Sequence, residues 1–164
     1  MPAFLRALLL ASALLTPLAA GAQQAPVAFG GLQQNTSLPV EVTADSLTVS
    51  QADGTALFSG NVLVKQGDMR LAAGQVRVEY GPDKTRIARL FASGGVTLAG
   101  ARDAAEAREA VYTIDSGKVE MTGDVVLTQG SSAISGQALV LDLKSGTGVM
   151  EGRVTTVFTP GGGN

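Results

Sequence analysis

Apolar and polar positions alternate with a period of two along much of the chain. Phe58, Gly60, Val62 and Val64 fall on one face, as do Val119, Met121, Gly123, Val125 and Leu127, and again Gly148, Met150, Gly152 and Val154. That period predicts β-strands with one buried face. A second element reads apolar-x-small-x-x-apolar-x-apolar, at Val42-Ala44-Leu47-Val49, Leu71-Ala73-Val76-Val78, Ala105-Ala107-Ala110-Tyr112 and Ile134-Gly136-Leu139-Leu141. Its apolar step is three residues, so one residue is extra if both ends face inward. This predicts a corner between two walls. A glycine inside each alternating run, at Gly60, Gly94, Gly123 and Gly152, predicts a bend or bulge.

The two elements repeat in register. From the small residue (Ala44, Ala73, Ala107, Gly136) to the following glycine the spacing is 16, 21, 16 and 16 residues, and from each glycine to the next small residue it is 13. The unit is therefore 29 residues, with a five-residue insertion in the polar stretch Gly81 to Arg86. Turn signals such as Gln66-Gly67-Asp68 and Asp115-Ser116-Gly117 separate the runs into antiparallel strands. Ala101 to Ala110 is alanine-rich and helix-prone, but it holds a strand position in the repeat, and register outweighs propensity. The expected fold is an all-β, folded-over antiparallel sheet of four such repeats.

Composition removes much chemistry. Among 164 residues there is no cysteine and no histidine, which excludes Cys/His zinc sites, Ser-His-Asp catalysis and disulfide frameworks. A formal charge of −2 and pI near 5.0 give no nucleic-acid footprint. No cofactor and no metal site is expected. Asp45, Asp53, Asp68, Asp83, Asp115 and Asp124 fall at expected turns, which they cap or solvate, and no paired carboxylates share an inner face. An enzyme is not expected.

The chain starts with Arg6, an apolar run from Ala7 to Leu15, and Ala20-Gly21-Ala22. This reads as a signal peptide over residues 1–22, cleaved after Ala22, with an uncleaved membrane anchor as the competing reading, and an exported chain without cysteine suits the periplasm. Residues 23–37 read as a flexible lead-in, 38–160 as one domain, and 161–164 as a flexible tail.

Several segments carry a resemblance to a known family: Leu38-Pro39-Val40-Glu41-Val42-Thr43-Ala44-Asp45, Phe58 to Gly67, Met121-Thr122-Gly123-Asp124-Val125, and Arg153-Val154-Thr155-Thr156-Val157 with Pro160. Over about residues 38 to 160 the chain resembles the OstA-like family of lipopolysaccharide-transport bridge proteins, the LptA group. The resemblance implies a twisted antiparallel β-jellyroll whose groove stays partly open and carries the acyl chains of lipopolysaccharide. It also implies protomers joined head to tail by their edge strands, between an inner-membrane LptC-like subunit and an outer-membrane LptD-like translocon.

On that footing the groove lining is assigned to Val40, Val42, Phe58, Val62, Val64, Val76, Val78, Val96, Leu98, Ile114, Met121, Val125, Leu127, Leu139, Leu141 and Val154. Edge-strand contacts are assigned to Leu38, Val40, Val42, Val154, Thr156 and Phe158, because unpaired strand edges are templates for another chain. Lys65, Arg70, Arg77 and Arg153 are candidates to meet lipid phosphates at the rim. The rival reading is a structural periplasmic β-filament with a dry interior and no lipid cargo.

Overall fold

The computed structural model describes residues 25–28 and 30–159. The leader and the tail after Thr159 lie outside the described residues. Among the described residues twelve strands form one antiparallel sheet: β1 (Ala25–Ala28), β2 (Glu41–Thr43), β3 (Ser46–Ser50), β4 (Thr55–Gln66), β5 (Met69–Tyr80), β6 (Ile87–Ala99), β7 (Asp103–Ala107), β8 (Glu109–Thr113), β9 (Lys118–Gln129), β10 (Ser132–Asp142), β11 (Thr147–Glu151) and β12 (Thr155–Phe158). The helix-prone stretch is strand, as its register requires: it supplies β7 and the start of β8.

Five long strands (β4, β5, β6, β9, β10) run through a corner and belong to two walls. In the first wall, β2 pairs with the second half of β4, and the ladder runs on through β5, β6, β7, β9 and β10 to β12. In the second, β3 pairs with the first half of β4, and the ladder ends at β11 and β1. The sheet is thus folded over on itself, a β-jellyroll built by strands that bend without breaking.

The bends are where the sequence puts glycine. Gly60-Asn61, Gly94-Gly95, Gly123-Asp124 and Gly152-Arg153 are four consecutive pairs in which both residues have positive φ, between +46° and +85°. The ladder registers skip there, between Ser59 and Val62 on β4 and opposite Ala73 and Gln75 on β6. At Gly60 the glycine is demanded twice over, since a Cβ would sit 2.6 Å from the Asp45 carboxylate and φ is +80°. Asp45 and Asp124, expected at turns, belong to these corners: Asn61 donates to Asp45, and Arg108 pairs with Asp124. Asp53 and Asp83 do hold turns, accepting from Ser50 and from Thr85. The Thr85 bonds, followed by those from Arg86, hold the Asp83 carboxyl below its ordinary value.

The lead-in expected to be flexible is structured over its described residues. Ala25–Ala28 pairs with β11, and the backbone from Gly30 to Leu38 is hydrogen-bonded to the turns of both walls. The edge strand β2 is Glu41–Thr43, and Leu38, assigned to the edge contacts, packs over the Gly67 turn instead of entering the ladder.

Candidate functional site

Inward side chains on neighbouring strands line up in rows that run across the whole molecule. In the first wall the row is Val42, Val64, Leu71, Leu98, Ala105, Leu127, Ile134, Thr156. In the second, one row is Leu47, Phe58, Val76, Ala92, Ala110, Met121, Leu139, Met150, and its neighbour is Val49, Ala56, Val78, Leu90, Tyr112, Val119, Leu141. At about 4.8 Å per strand, eight strands make an apolar rail on the order of 34 Å long.

Every residue assigned to the lining belongs to this interior. Val62, Val64, Val76, Val78, Val96, Leu98, Met121, Val125, Leu127, Leu139 and Leu141 are each at most 2 % exposed. Val40, Val42, Phe58, Ile114 and Val154 are partly buried and pack against them. The middle of the rail is covered in the structure, and exposed apolar side chains are found towards its ends. Aliphatic side chains from two facing walls bury one another, and the side of the fold opposite the corner is bridged by residues 30–38.

The rail opens at its two ends. On the edge strand β3, Leu47 and Val49 lie on the inward rows yet are 53 % and 61 % exposed. At the opposite end, Phe158 pairs with Ser132 two positions along from the inward pair Thr156–Ile134, and it is 73 % exposed. Leu47 and Val49 are the inner lining continued past its last neighbour, whereas the row behind Phe158 is Ser132, Gln129 and Asp103. Of the expected edge residues, Thr156 and Phe158 are on β12 and Val42 is on β2, whereas Leu38, Val40 and Val154 flank the strands. Leu47 and Val49, whose alternation the second element already marks as inward, were assigned neither to the lining nor to the edge contacts.

The cations expected at the rim are dispersed. Arg77 lies on the outer face, in a 2.5 Å ion pair with Glu79 and 4.2 Å above the Phe91 ring. Lys65 is in the outward row with Glu41 and Arg70, and Arg153 is a corner residue. Arg70 donates to the carbonyls of Gly67 and Met69, at a turn bordering the bridged side.

A buried polar cluster centres on Gln66. Gln66 donates from Nε2 to the carbonyls of Thr36 and Leu38, both at 2.9 Å, and its Oε1 accepts from the Tyr112 hydroxyl at 2.7 Å. Burial pushes the Tyr112 phenol up to about 12, the bond to Gln66 opposing this in part. Among the described residues no group of three or more His, Cys, Asp or Glu side chains is placed to hold a metal ion.

A family model described as LptA/(LptD N-terminal domain) LPS transport protein matches residues 41–147. An uncharacterized protein of Rhizobium meliloti (strain 1021) is 29% identical over 135 residues, covering 82% of this chain and 61% of that protein, so the chain spans about three-fifths of this relative. Among solved structures, the fold is similar to that of LptH of Pseudomonas aeruginosa, described as the LptA-homologous periplasmic component of the lipopolysaccharide transport device. The TM-score is 0.68 at 19% identity, with 76% of this chain and 98% of that one covered.

Proposed function

Because the chain belongs to the family of LptA and the LptD N-terminal domain, lipopolysaccharide transport proteins, we propose that it is a periplasmic bridge subunit carrying lipopolysaccharide by its acyl chains. The observation that carries this reading is the set of inward rows that cross the whole sheet, with Leu47 and Val49 exposed on the β3 edge and Phe158 exposed on β12. At roughly 0.8 kcal/mol per methylene, a chain of about a dozen carbons costs on the order of 10 kcal/mol to expose to water. An interior of interchangeable aliphatic residues offers cover without one deep well that would trap the load. Joining protomers head to tail, β12 and β1 of one to β2 and β3 of the next, would cover Leu47, Val49 and Phe158 and make the rail continuous. The same edges would receive an LptC-like subunit at one terminus of the bridge and an LptD-like translocon at the other.

A dry structural filament is the second reading, and the near-complete burial of the middle of the rail favours it. Photocrosslinking amino acids at Val42, Met121 and Phe158 separate the two. Capture of lipopolysaccharide at all three positions supports a carrier. Capture at none, with the oligomer intact, leaves the filament.

A further inference from the structure

We propose that Gly30–Leu38 is a displaceable strap that shuts the long open side of the fold, and that an incoming hydrocarbon chain takes the place Leu32 holds. This rests on the carrier reading above.

The strap runs along the side opposite the corner and is bonded to both walls in turn. On the first wall, the Gly31 amide donates to Asp103 Oδ2 at 3.1 Å, the Ala101 amide donates to the Gly31 carbonyl at 3.0 Å, and Gln34 Oε1 accepts from the Met69 amide at 3.3 Å. On the second, the Gln34 amide donates to the Leu143 carbonyl at 2.8 Å, and Gln33 Nε2 donates to the Lys144 carbonyl at 3.0 Å. Without this segment the turns of the two walls face each other across a gap with the apolar interior behind it.

Three features mark it as a cover built to lift. It has no ladder partner between Gly30 and Leu38, so its hold is side chains and single backbone bonds, the class of structure that opens at least cost. Leu32, 3 % exposed, is the one apolar side chain it inserts into the core cluster, and shallow recesses of about 450 and 220 Å³ flank its Gly30–Gly31 end. Gln34 Nε2 is buried without a partner, a cost relieved when the strap moves into water.

The closure also depends on a specific close approach. A Cβ at Gly100 would drive into the Gly31 carbonyl oxygen and lie 2.9 Å from Leu32 Cδ2, and Gly100 does not have positive φ. Gly100→Ala is therefore a wedge aimed at the strap that leaves the strand beneath it unstrained.

The chain has no cysteine, so Leu32→Cys supplies a single thiol whose maleimide-labelling rate reports the strap. The closed strap should protect Cys at this position at least tenfold relative to Phe158→Cys. Adding purified lipopolysaccharide, with binding followed in parallel by native mass spectrometry, should raise the labelling rate several-fold, and Gly100→Ala should raise it without lipid. Binding with no change in labelling overturns the strap and leaves the carrier reading standing. No binding to the wild type but binding to the Gly100→Ala protein supports the strap as a shut gate. No binding to either overturns both. Should Leu32→Cys fail to fold, amide hydrogen exchange of residues 31–37 in the unmodified protein gives the same comparison: exchange that lipid leaves unaltered rejects displacement.

Discussion

Asn61 donates from Nδ2 to Asp45 Oδ2 at 2.8 Å, and the Asp45 amide donates to the carbonyl of Gly60 at 2.9 Å. These two bonds fasten the bend between β2 and β3 to the bend in β4. The same construction recurs across the sheet, where the Arg108 amide donates to the Gly123 carbonyl at 3.0 Å and the Arg108 side chain pairs with Asp124. At the last corner a Cβ on Gly152 would lie 2.7 Å from Gln137 Cβ. The residue after each small marker packs on a glycine that has no side chain to repel it, and this seam sets the angle between the walls.

Backbone strain and steric clash can be separated at this seam. Gly60→Ala suffers both, since φ is +80° and the new Cβ meets Asp45. Gly95→Ala has the same φ and nothing within 4 Å. Unfolding in urea should show a loss of about 1–2 kcal/mol for Gly95→Ala, and at least about 1 kcal/mol more for Gly60→Ala. Gly30→Ala, with open space and no positive φ, should change stability by less than about 0.5 kcal/mol.

Asp124 tests how much of the seam is electrostatic. Its ion pair with Arg108 leaves both side chains mostly exposed, and such pairs contribute about 0–1 kcal/mol. Its φ of +48° is strained for a residue with a Cβ. Asp124→Gly removes the pair and the strain together, so the melting temperature should stay within about 2 °C. Asp124→Val keeps the strain, adds a branched Cβ and should cost about 1–2 kcal/mol.

The Tyr112–Gln66 contact makes stability depend on alkaline pH. The phenol is pushed up to about 12 in the fold, against about 10 in the unfolded chain. The neutral form is the one the fold favours, so its contribution is fully present below pH 10 and is lost as pH rises through 12. A shift of that size corresponds to about 2–3 kcal/mol. Tyr112→Phe should lower stability at pH 7 by about 1–3 kcal/mol, because Gln66 Oε1 loses its donor, while flattening the decline above pH 10. An unaltered decline in the Phe variant rejects the assignment.

Much of this architecture could be read from spacing. Gly60, Gly94, Gly123 and Gly152 announce the corners because only a bulge reconciles a period of two with a step of three, and the lining follows from parity once the corners are known. Residues 25–38 could not be read in the same way. Ala25-Pro26-Val27-Ala28 is too short to alternate, and the strap's bonds reach 72 residues to Asp103 and 111 to Lys144, with no local pattern to mark them. Gln66 looks like a turn residue in sequence, and only the arrival of Thr36, Leu38 and Tyr112 from three other parts of the chain makes it a buried node. The exposed ends were half legible: Thr156 and Phe158 follow from the terminal strand, but Leu47 and Val49 alternate like any buried pair until the absence of a neighbouring strand leaves them uncovered.

Those ends predict a particular kind of assembly. A contact between unlike ends is heterologous, using two different surfaces, so blocking one end must leave the other competent. Leu47→Glu places a charge on the β3 mouth, and Phe158→Glu does so on the β12 mouth. Both positions are already exposed, so each folded monomer should keep its stability within about 0.5 kcal/mol. By light scattering the unmodified protein should form a ladder of oligomers under the proposed head-to-tail joining, and each variant alone should be monomeric. Mixed in equal amounts they should form a dimer and nothing larger, because the intact β12 end of the first meets the intact β3 end of the second and both remaining ends are charged. A mixture that stays monomeric rejects head-to-tail joining through these residues. Oligomers that persist in either variant alone place the contact elsewhere on the surface.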